Sequence, residues 1–544
     1  MTTVEVKAAD PGSVEQTNAH GLLSKLIIDH LQLDSYQGAL SWAVLLAFSY
    51  LLYRNTLKGA NKLPLPPGPR ALPIIGNLHQ NPSAEQWKTY ESWHKKYGPL
   101  IRLKLAGFDV ILVAKDLLDK KGRIYSSRPR MIYLSECMTR GLQPGFMPYG
   151  DLWKTLHRLE TPFLNPTAMK AYHDVHDLQS AQLVHDLLNT KDPAEDLKRY
   201  TCSVAFTLAL GRTLSVDGDK DLYTLASYIE KKMTHFHWAN FLVDVFPVLN
   251  YLPDSFASWR RDGTKMYDEE IRLMTGAMES AKETGNWCWS NALMKQNEEE
   301  KLSHEQMCYF VGELILGAYI STTSMLNLFV SMCTIWPSCM HKIQAELDAN
   351  VGPDRLPAVS DESNLPYLNA FVMEVLRWRP LAPLGMLHSV SEDDEYEGYR
   401  IPKGSVVITN HYCVDRDPEV HDAPEEFRPE RWLENPDLPL SAFGFGRRKC
   451  PGSKFAHRSL YMALSRFLWA FDLTPMDSMN AEEELRRMQQ KGHAIPAVPP
   501  PARANFTVRS PKHREVVENE WQSVEKDEKK ILSEIGTKVV LTGK

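Results

Sequence analysis

Through most of residues 84–344 apolar positions recur at three- and four-residue spacing with few tight hairpin signals, the pattern of packed amphipathic helices. Two runs depart from it. Residues 306–336 are apolar all round and end at Pro337; at 1.5 Å per residue this predicted helix reaches about 45 Å. A helix without a polar face belongs inside a protein, and Ser321, Thr322, Thr323, Ser324, Asn327 and Ser331 make the competing reading, a membrane span, a poor match to lipid. The second run, residues 35–53, holds nineteen residues without a charge, close to the roughly 20 that a bilayer core requires. Just upstream, Leu22, Leu23, Ile27, Ile28 and Leu31 sit at helical spacing and suit the opposite membrane face. Short β-rich pieces stand at 100–105, 110–113, 399–401 and 406–408, the last two bracketing Pro402-Lys-Gly404 as a turn. The predicted fold is mainly α, a large helical body with small β-sheets at one side.

Charge gives the apolar run a direction. Residues 1–38 carry two lysines against five acids, whereas 54–70 carry Arg54, Lys58, Lys62 and Arg70 with no acid. By the positive-inside rule everything after residue 53 is cytosolic. The run starts too late, and lacks the basic leader, for a cleaved signal peptide. The prolines of Leu63-Pro-Leu-Pro-Pro-Gly-Pro69 favour a stiff extended strap. The expected organisation is therefore a lumenal segment (1–34), a transmembrane anchor (35–53), a basic and proline-rich hinge (54–75), a catalytic body (76–516) and a charged, helix-prone, solvated tail (517–544). A net charge of −6 argues against nucleic acid as a partner. The eight cysteines show no C-x-x-C or paired spacing, so neither a zinc site nor a disulfide framework is implied.

One cysteine stands apart. Cys450 lies in Phe443-Gly-Phe-Gly-Arg-Arg-Lys-Cys-Pro-Gly452, where neighbouring cations and a following helix N-terminus are expected to favour the metal-binding thiolate. Gly446 and Gly452 are expected to allow turns that a Cβ would block and to bring the chain close to a flat cofactor, with Phe443 covering it beside the sulfur. The plain alternative is a buried thiol in a glycine-rich turn. The pattern Phe-x-x-Gly-x-Arg-x-Cys-x-Gly resembles the haem-ligand loop of the cytochrome P-450 family, with every fixed position filled. That resemblance implies the P-450 fold and haem b with Cys450 as axial iron ligand, whose thiolate promotes O–O cleavage.

Other motifs extend the resemblance over roughly residues 60–515. Glu374-Val-Leu-Arg377 and Phe427-Arg-Pro-Glu-Arg431-Trp432 resemble the family's buried Glu374–Arg377–Arg431 network. By position Arg448 and His388 resemble ligands of the haem carboxylates. Trp153 does too, although His157 stands where the family's Trp-x-x-x-Arg helix has arginine and Arg158 follows it. The combination looks most like fungal secondary-metabolism members of the O-methylsterigmatocystin oxidoreductase type. It implies an endoplasmic-reticulum monooxygenase that takes electrons from NADPH–cytochrome P-450 reductase, and at times cytochrome b5. The reductase is expected on the thiolate side, beside Arg447, Arg448, Lys449, Lys454 and Arg458. A lipophilic small molecule is expected among residues 131–147, 241–252, 381–386 and 493–498, with Phe146, Phe241, Leu384 and Met386 as apolar candidates.

The pattern breaks in the long helix, where the family carries Ala/Gly-Gly-x-Asp/Glu-Thr. This chain reads Gly317-Ala-Tyr-Ile-Ser-Thr-Thr323, so Ile320 replaces the acid and Ser321 the threonine, and no Asp or Glu occurs in 314–345. General acid–base assistance contributes about 10²–10⁴-fold, so Ser321 and Thr322 become the candidates for handling protons. Three readings follow: a monooxygenase relaying through Ser321, water or a substrate hydroxyl; an oxygen-independent isomerase or dehydratase; and a weakly active haem-binding relative.

Overall fold

The computed structural model describes residue 42 and residues 63–82, 85–113, 116–214, 219–236, 242–476, 480–489 and 499–539. The expected anchor, the lumenal segment, the hinge up to 62, Phe241 and the segment 493–498 lie outside the described residues, Trp42 excepted. Two compact units divide at Met1–Pro64 and Leu65–Lys544. In the second unit residues 65–68 carry no regular secondary structure, and the Pro67 carbonyl accepts the Arg102 N–H at 2.8 Å.

The helices that build the candidate site are α1 (Asp151–Leu164), α2 (Pro193–Leu210), α3 (Lys220–Met233), α4 (Ser258–Thr284), α5 (His304–Ile335), α6 (Pro366–Trp378) and α7 (Ser453–Ala470). The predicted central helix is α5. Its start is set by a capping box, in which Ser303 Oγ accepts from Gln306 N–H and Gln306 Oε1 accepts from Ser303 N–H at 2.7 Å; Pro337 opens the next helix. Packed on by α2, α4 and α7, α5 is a core helix and not a lipid-facing one, with Ile315, Leu326, Phe329 and Val330 fully buried.

Four strands form the main sheet in the order β1 (Ile101–Leu105), β2 (Phe108–Val113), β6 (Val406–Thr409) and β3 (His388–Ser389). β2 and β6 pair in parallel and the outer pairs are antiparallel. Val110–Leu112 and Val406–Ile408 are buried on both faces, as parallel strands between two packed layers must be. Register sets His388 opposite Val407. A hairpin of β4 (Asp394–Tyr396) and β5 (Tyr399–Ile401), and a pair of β7 (Phe471–Pro475) with β8 (Ala504–Val508), complete the β structure among the described residues.

The C-terminal segment is helical and charged as read from the sequence, but it is not solvated along its length. In α8 (Glu528–Lys538) Ile531, Leu532 and Ile535 are buried, and Gly536 lies so close to Trp287 that a Cβ would come within 2.8 Å of its ring. Three apolar residues on one face bind this helix to the body.

Candidate haem-thiolate site

The loop before α7 folds by its own backbone. Cys450 N–H donates to Phe443 C=O at 2.8 Å, and Gly446 N–H to Asp119 Oδ1 at 2.8 Å. Gly446 has φ +58°, and a Cβ there would stand 2.2 Å from the Leu118 carbonyl oxygen, so only glycine fits. Gly452 differs from its expectation: its φ of −81° is open to any residue, and its contribution is an N–H directed at the Cys450 sulfur. Phe443 is half-buried against the main core.

Cys450 presents surface to solvent, yet the protein around it pushes the thiol up to about 11; the Gly452 N–H opposes this, and Glu160 and Glu313 add to it. The expected lowering by neighbouring cations does not occur, because those cations point elsewhere. Arg447 donates to Tyr149 OH at 2.6 Å. Arg448 turns inward to the carbonyls of Ser126 (2.9 Å) and Met147 (2.7 Å), its guanidinium 4.2 Å above the Trp153 ring.

Around Arg448 the fold gathers cations. Arg128, which sequence reasoning missed, is buried and donates to the carbonyls of Gly145 (2.9 Å) and Leu387 (2.6 Å). His388 lies beside both arginines, its Nδ1–H donating to Tyr125 C=O at 2.7 Å. Burial first, and mutual repulsion second, lower Arg128 to about 9 and hold His388 well below its ordinary value; burial lowers Arg448 to about 10. Among the described residues neither arginine has a carboxylate in ion-pair contact. His157 stacks on Trp153 at 4.8 Å and pairs with Glu160, whereas Arg158 faces outward to Glu300. Of the two candidates beside Trp153, His157 is the one on its side.

The predicted network is assembled. Arg377 Nε and Nη2 donate to the two Glu374 oxygens at 2.9 and 2.8 Å, Arg431 Nε at 3.2 Å and Trp432 Nε1 at 2.9 Å. Burial opposes ionisation of Glu374, but these donors and the Arg428 N–H hold its carboxyl below the usual range. The remaining Arg377 donors meet the carbonyls of Asp415, Pro424 and Glu426.

Within residues 307–333 of α5, only Glu313, Leu316, Gly317, Ile320, Ser321 and Thr323 are not buried. The first five fall at three- and four-residue spacing on one stripe, and beside Gly317 an added Cβ would meet nothing within 4 Å. A core helix thus keeps one open face. Ser321 lies on it, its Oγ donating to Gly317 C=O at 2.6 Å. Thr322 is 2% exposed and its Oγ1 has no hydrogen-bond partner among the described residues, so it faces the core side. Tyr319 also faces away, bonding Glu230.

A thiol, a pair of inward-turned arginines without a paired carboxylate among the described residues and an open helix face suit a flat, dianionic, metal-bearing ring. The cytochrome P450 family profile matches residues 66–501. The chain belongs to the cytochrome P450 family. It is 39% identical to cytochrome P450 monooxygenase aneD of Aspergillus aculeatus over 87% of this chain and 93% of the relative. It is also similar to cytochrome P450 monooxygenases peniB of Penicillium patulum (36%, over 90% and 93%) and FrzL of a Cladobotryum species (34%, over 91% and 96%). This P450 is accordingly a monooxygenase, and its family implies haem held by a cysteine thiolate. Of the apolar substrate candidates, Phe146 is buried and Met386 half-buried in the same cluster as Leu316 of the stripe, whereas Leu384 is 2% exposed in the sheet core.

Proposed function

We propose that this P450 oxidises a lipophilic small molecule in fungal secondary metabolism, with Cys450 as iron ligand and with electrons from NADPH–cytochrome P-450 reductase. What carries the reading is the pairing of the Cys450 thiol with an anion-seeking cluster of Arg128, Arg448 and His388. The two guanidiniums would hold the haem carboxylates, a bound carboxylate would give His388 the counter-charge it needs to carry a second proton, and Trp153 supports the Arg448 plane. Haem bound there supplies the activation of dioxygen, while the protein sets pose and electronics. The Glu374–Arg377–Arg431 network holds the frame behind the loop.

The stripe of α5 defines the substrate face, where Leu316, Gly317 and Ile320 offer apolar surface and Ser321 an alcohol. With its hydroxyl hydrogen on Gly317 C=O, Ser321 presents lone pairs that accept and align a proton carrier. For reductase docking, Arg447, Lys449 and Lys454 are exposed; Arg448 is withdrawn and Arg458 is paired with Glu362, so the proposed basic face is smaller than the five residues read from sequence. The charge-free run 35–53 with its flanking basic residues supports a single-pass endoplasmic-reticulum anchor with the catalytic domain cytosolic. The exposed apolar side chains Ile74, Tyr251 and Phe256 suit a body that rests against lipid.

Mass spectrometry of the host's metabolites with and without the gene tests this. A lost product and an accumulated precursor lacking one oxygen, or carrying two more hydrogens, supports it. Ile320 on the open face favours one second reading, oxygen-independent isomerisation or dehydration; an accumulated isomer or hydrate, with turnover surviving removal of dioxygen, would establish that reading instead.

A further inference from the structure

Glu313 heads the open stripe of α5 and has no ion-pair partner among the described residues. It stands seven residues before Ile320, about 10.5 Å along the helix axis, too far to replace the missing acid. Its carboxylate is nevertheless held in place. Gln143 Nε2 donates to its Oε2 and the Gly145 N–H also bonds it. A Cβ on Gly145 would come within 2.9 Å of Glu313 Oε1, so the segment 131–147 lies close against the acid. The Gln143 amide has one orientation available, because its oxygen accepts from Lys232 Nζ at 2.7 Å. Lys232 in turn gives its ion pair to Glu270 at 2.5 Å, and Tyr228 OH donates to the same carboxylate. The one nearby lysine is therefore engaged elsewhere.

A carboxylate has about four acceptor sites, and Gln143 and Gly145 fill two. The charged groups around it come from every packed element: Lys232 on α3 favours its ionised form, Glu160 on α1 and Glu270 on α4 oppose it, and Arg128 lies across the site. Loss of water around the group is the largest cause, and with these charges it raises the carboxyl to about 7. Taking a half-buried carboxylate out of water is costly unless something completes it, and a wholly apolar substrate would not require it. We propose that Glu313 anchors a protonated, basic nitrogen of the substrate, setting the substrate class as lipophilic amines; this rests on the haem-thiolate reading above.

The test uses the full-length, haem-loaded protein in detergent and a matched pair of probes, N,N-dimethyl-4-phenylbutylamine and its uncharged isostere 5-methyl-1-phenylhexane, in equilibrium dialysis. The absorption spectrum of each sample is read first, and a wild-type protein without thiolate-bound haem would overturn the underlying reading by itself. With haem in place, the wild type should prefer the amine by about tenfold or more, the scale of one charge-assisted hydrogen bond. Glu313→Gln should lose that preference while binding the isostere as before. In the wild type alone the preference should weaken as pH falls through about 7 and the carboxylate protonates, a measurement that stands if the variant fails to fold. Equal binding of both probes by the wild type, or an amine preference kept by Glu313→Gln, overturns the proposal. So does a variant that keeps the preference and releases peroxide in place of product, which would make Glu313 a proton donor.

Discussion

The molecule holds two clusters of inward-turned arginines, and they are built on opposite terms. In the Glu374–Arg377–Arg431 cluster the chain provides the anion as well as the cations, and the described donors are matched by carboxylate or carbonyl oxygens. In the Arg128–Arg448–His388 cluster the hydrogen bonds are met by carbonyls, but among the described residues no carboxylate pairs with either arginine. A buried charge left without its partner is costly, so the second cluster has meaning only with a ligand that brings negative charge. On the proposed function, the first belongs to the fold and the second to the cofactor.

Substitutions separate the two. The largest effect should come from Cys450→Ala, which should abolish turnover while leaving the haem-free protein within about 0.5 kcal/mol of wild type in urea denaturation; residual full activity would remove Cys450 from its role. Next is Glu374→Ala, expected to cost about 3–5 kcal/mol by stranding two buried guanidiniums, whether or not haem is present. Arg448→Ala should act on the other side of the comparison, weakening haem retention about ten- to hundredfold with a small change in the stability of the apoprotein. A drop in apoprotein stability as large as that of Glu374→Ala would erase the distinction.

Smaller still is a pH effect. In the haem-free protein, alkylation of Cys450 by iodoacetamide should climb about tenfold per pH unit until it levels off near 11, with the Cys450→Ala protein as baseline. Because folding raises this thiol above its ordinary 9.0, the protonated form is the one the fold favours. Its contribution to stability is present below pH 9 and is lost as pH rises through 11. A plateau near neutrality would mean that the apoprotein already holds a thiolate. The smallest expected effect is that of Ser321→Ala, which should leave stability within about 0.5 kcal/mol and raise peroxide release relative to product.

What could be read from the chain alone follows the range of the interactions. The central helix was legible to within two residues because an unbroken apolar run carries its body and Pro337 marks its end locally. The cysteine loop was legible because residue identity at fixed spacing carries it. Strands β3, β4, β7 and β8 were not legible; β7, for one, is completed by β8 from more than thirty residues on, Phe471 facing Val508. Arg128 had no periodic signal, and its position comes from the meeting of three distant segments. The thiol's raised pKa was misread for the same reason: sequence adjacency put cations beside Cys450, whereas the fold turns them toward Tyr149, Ser126 and Met147. The docked C-terminal helix did leave a trace, Ile531, Leu532 and Ile535 at helical spacing within a charged run.

If Cys450 delivers a thiolate to haem iron while Arg128 and Arg448 receive the haem's carboxylates, the carbon monoxide difference spectrum of the reduced, full-length protein should show the far red-shifted Soret band of a thiolate-ligated haem, and Cys450→Ala should lose it. A band at the position typical of imidazole ligation in the wild type, or a purified folded protein that takes up no haem at all, would contradict that reading.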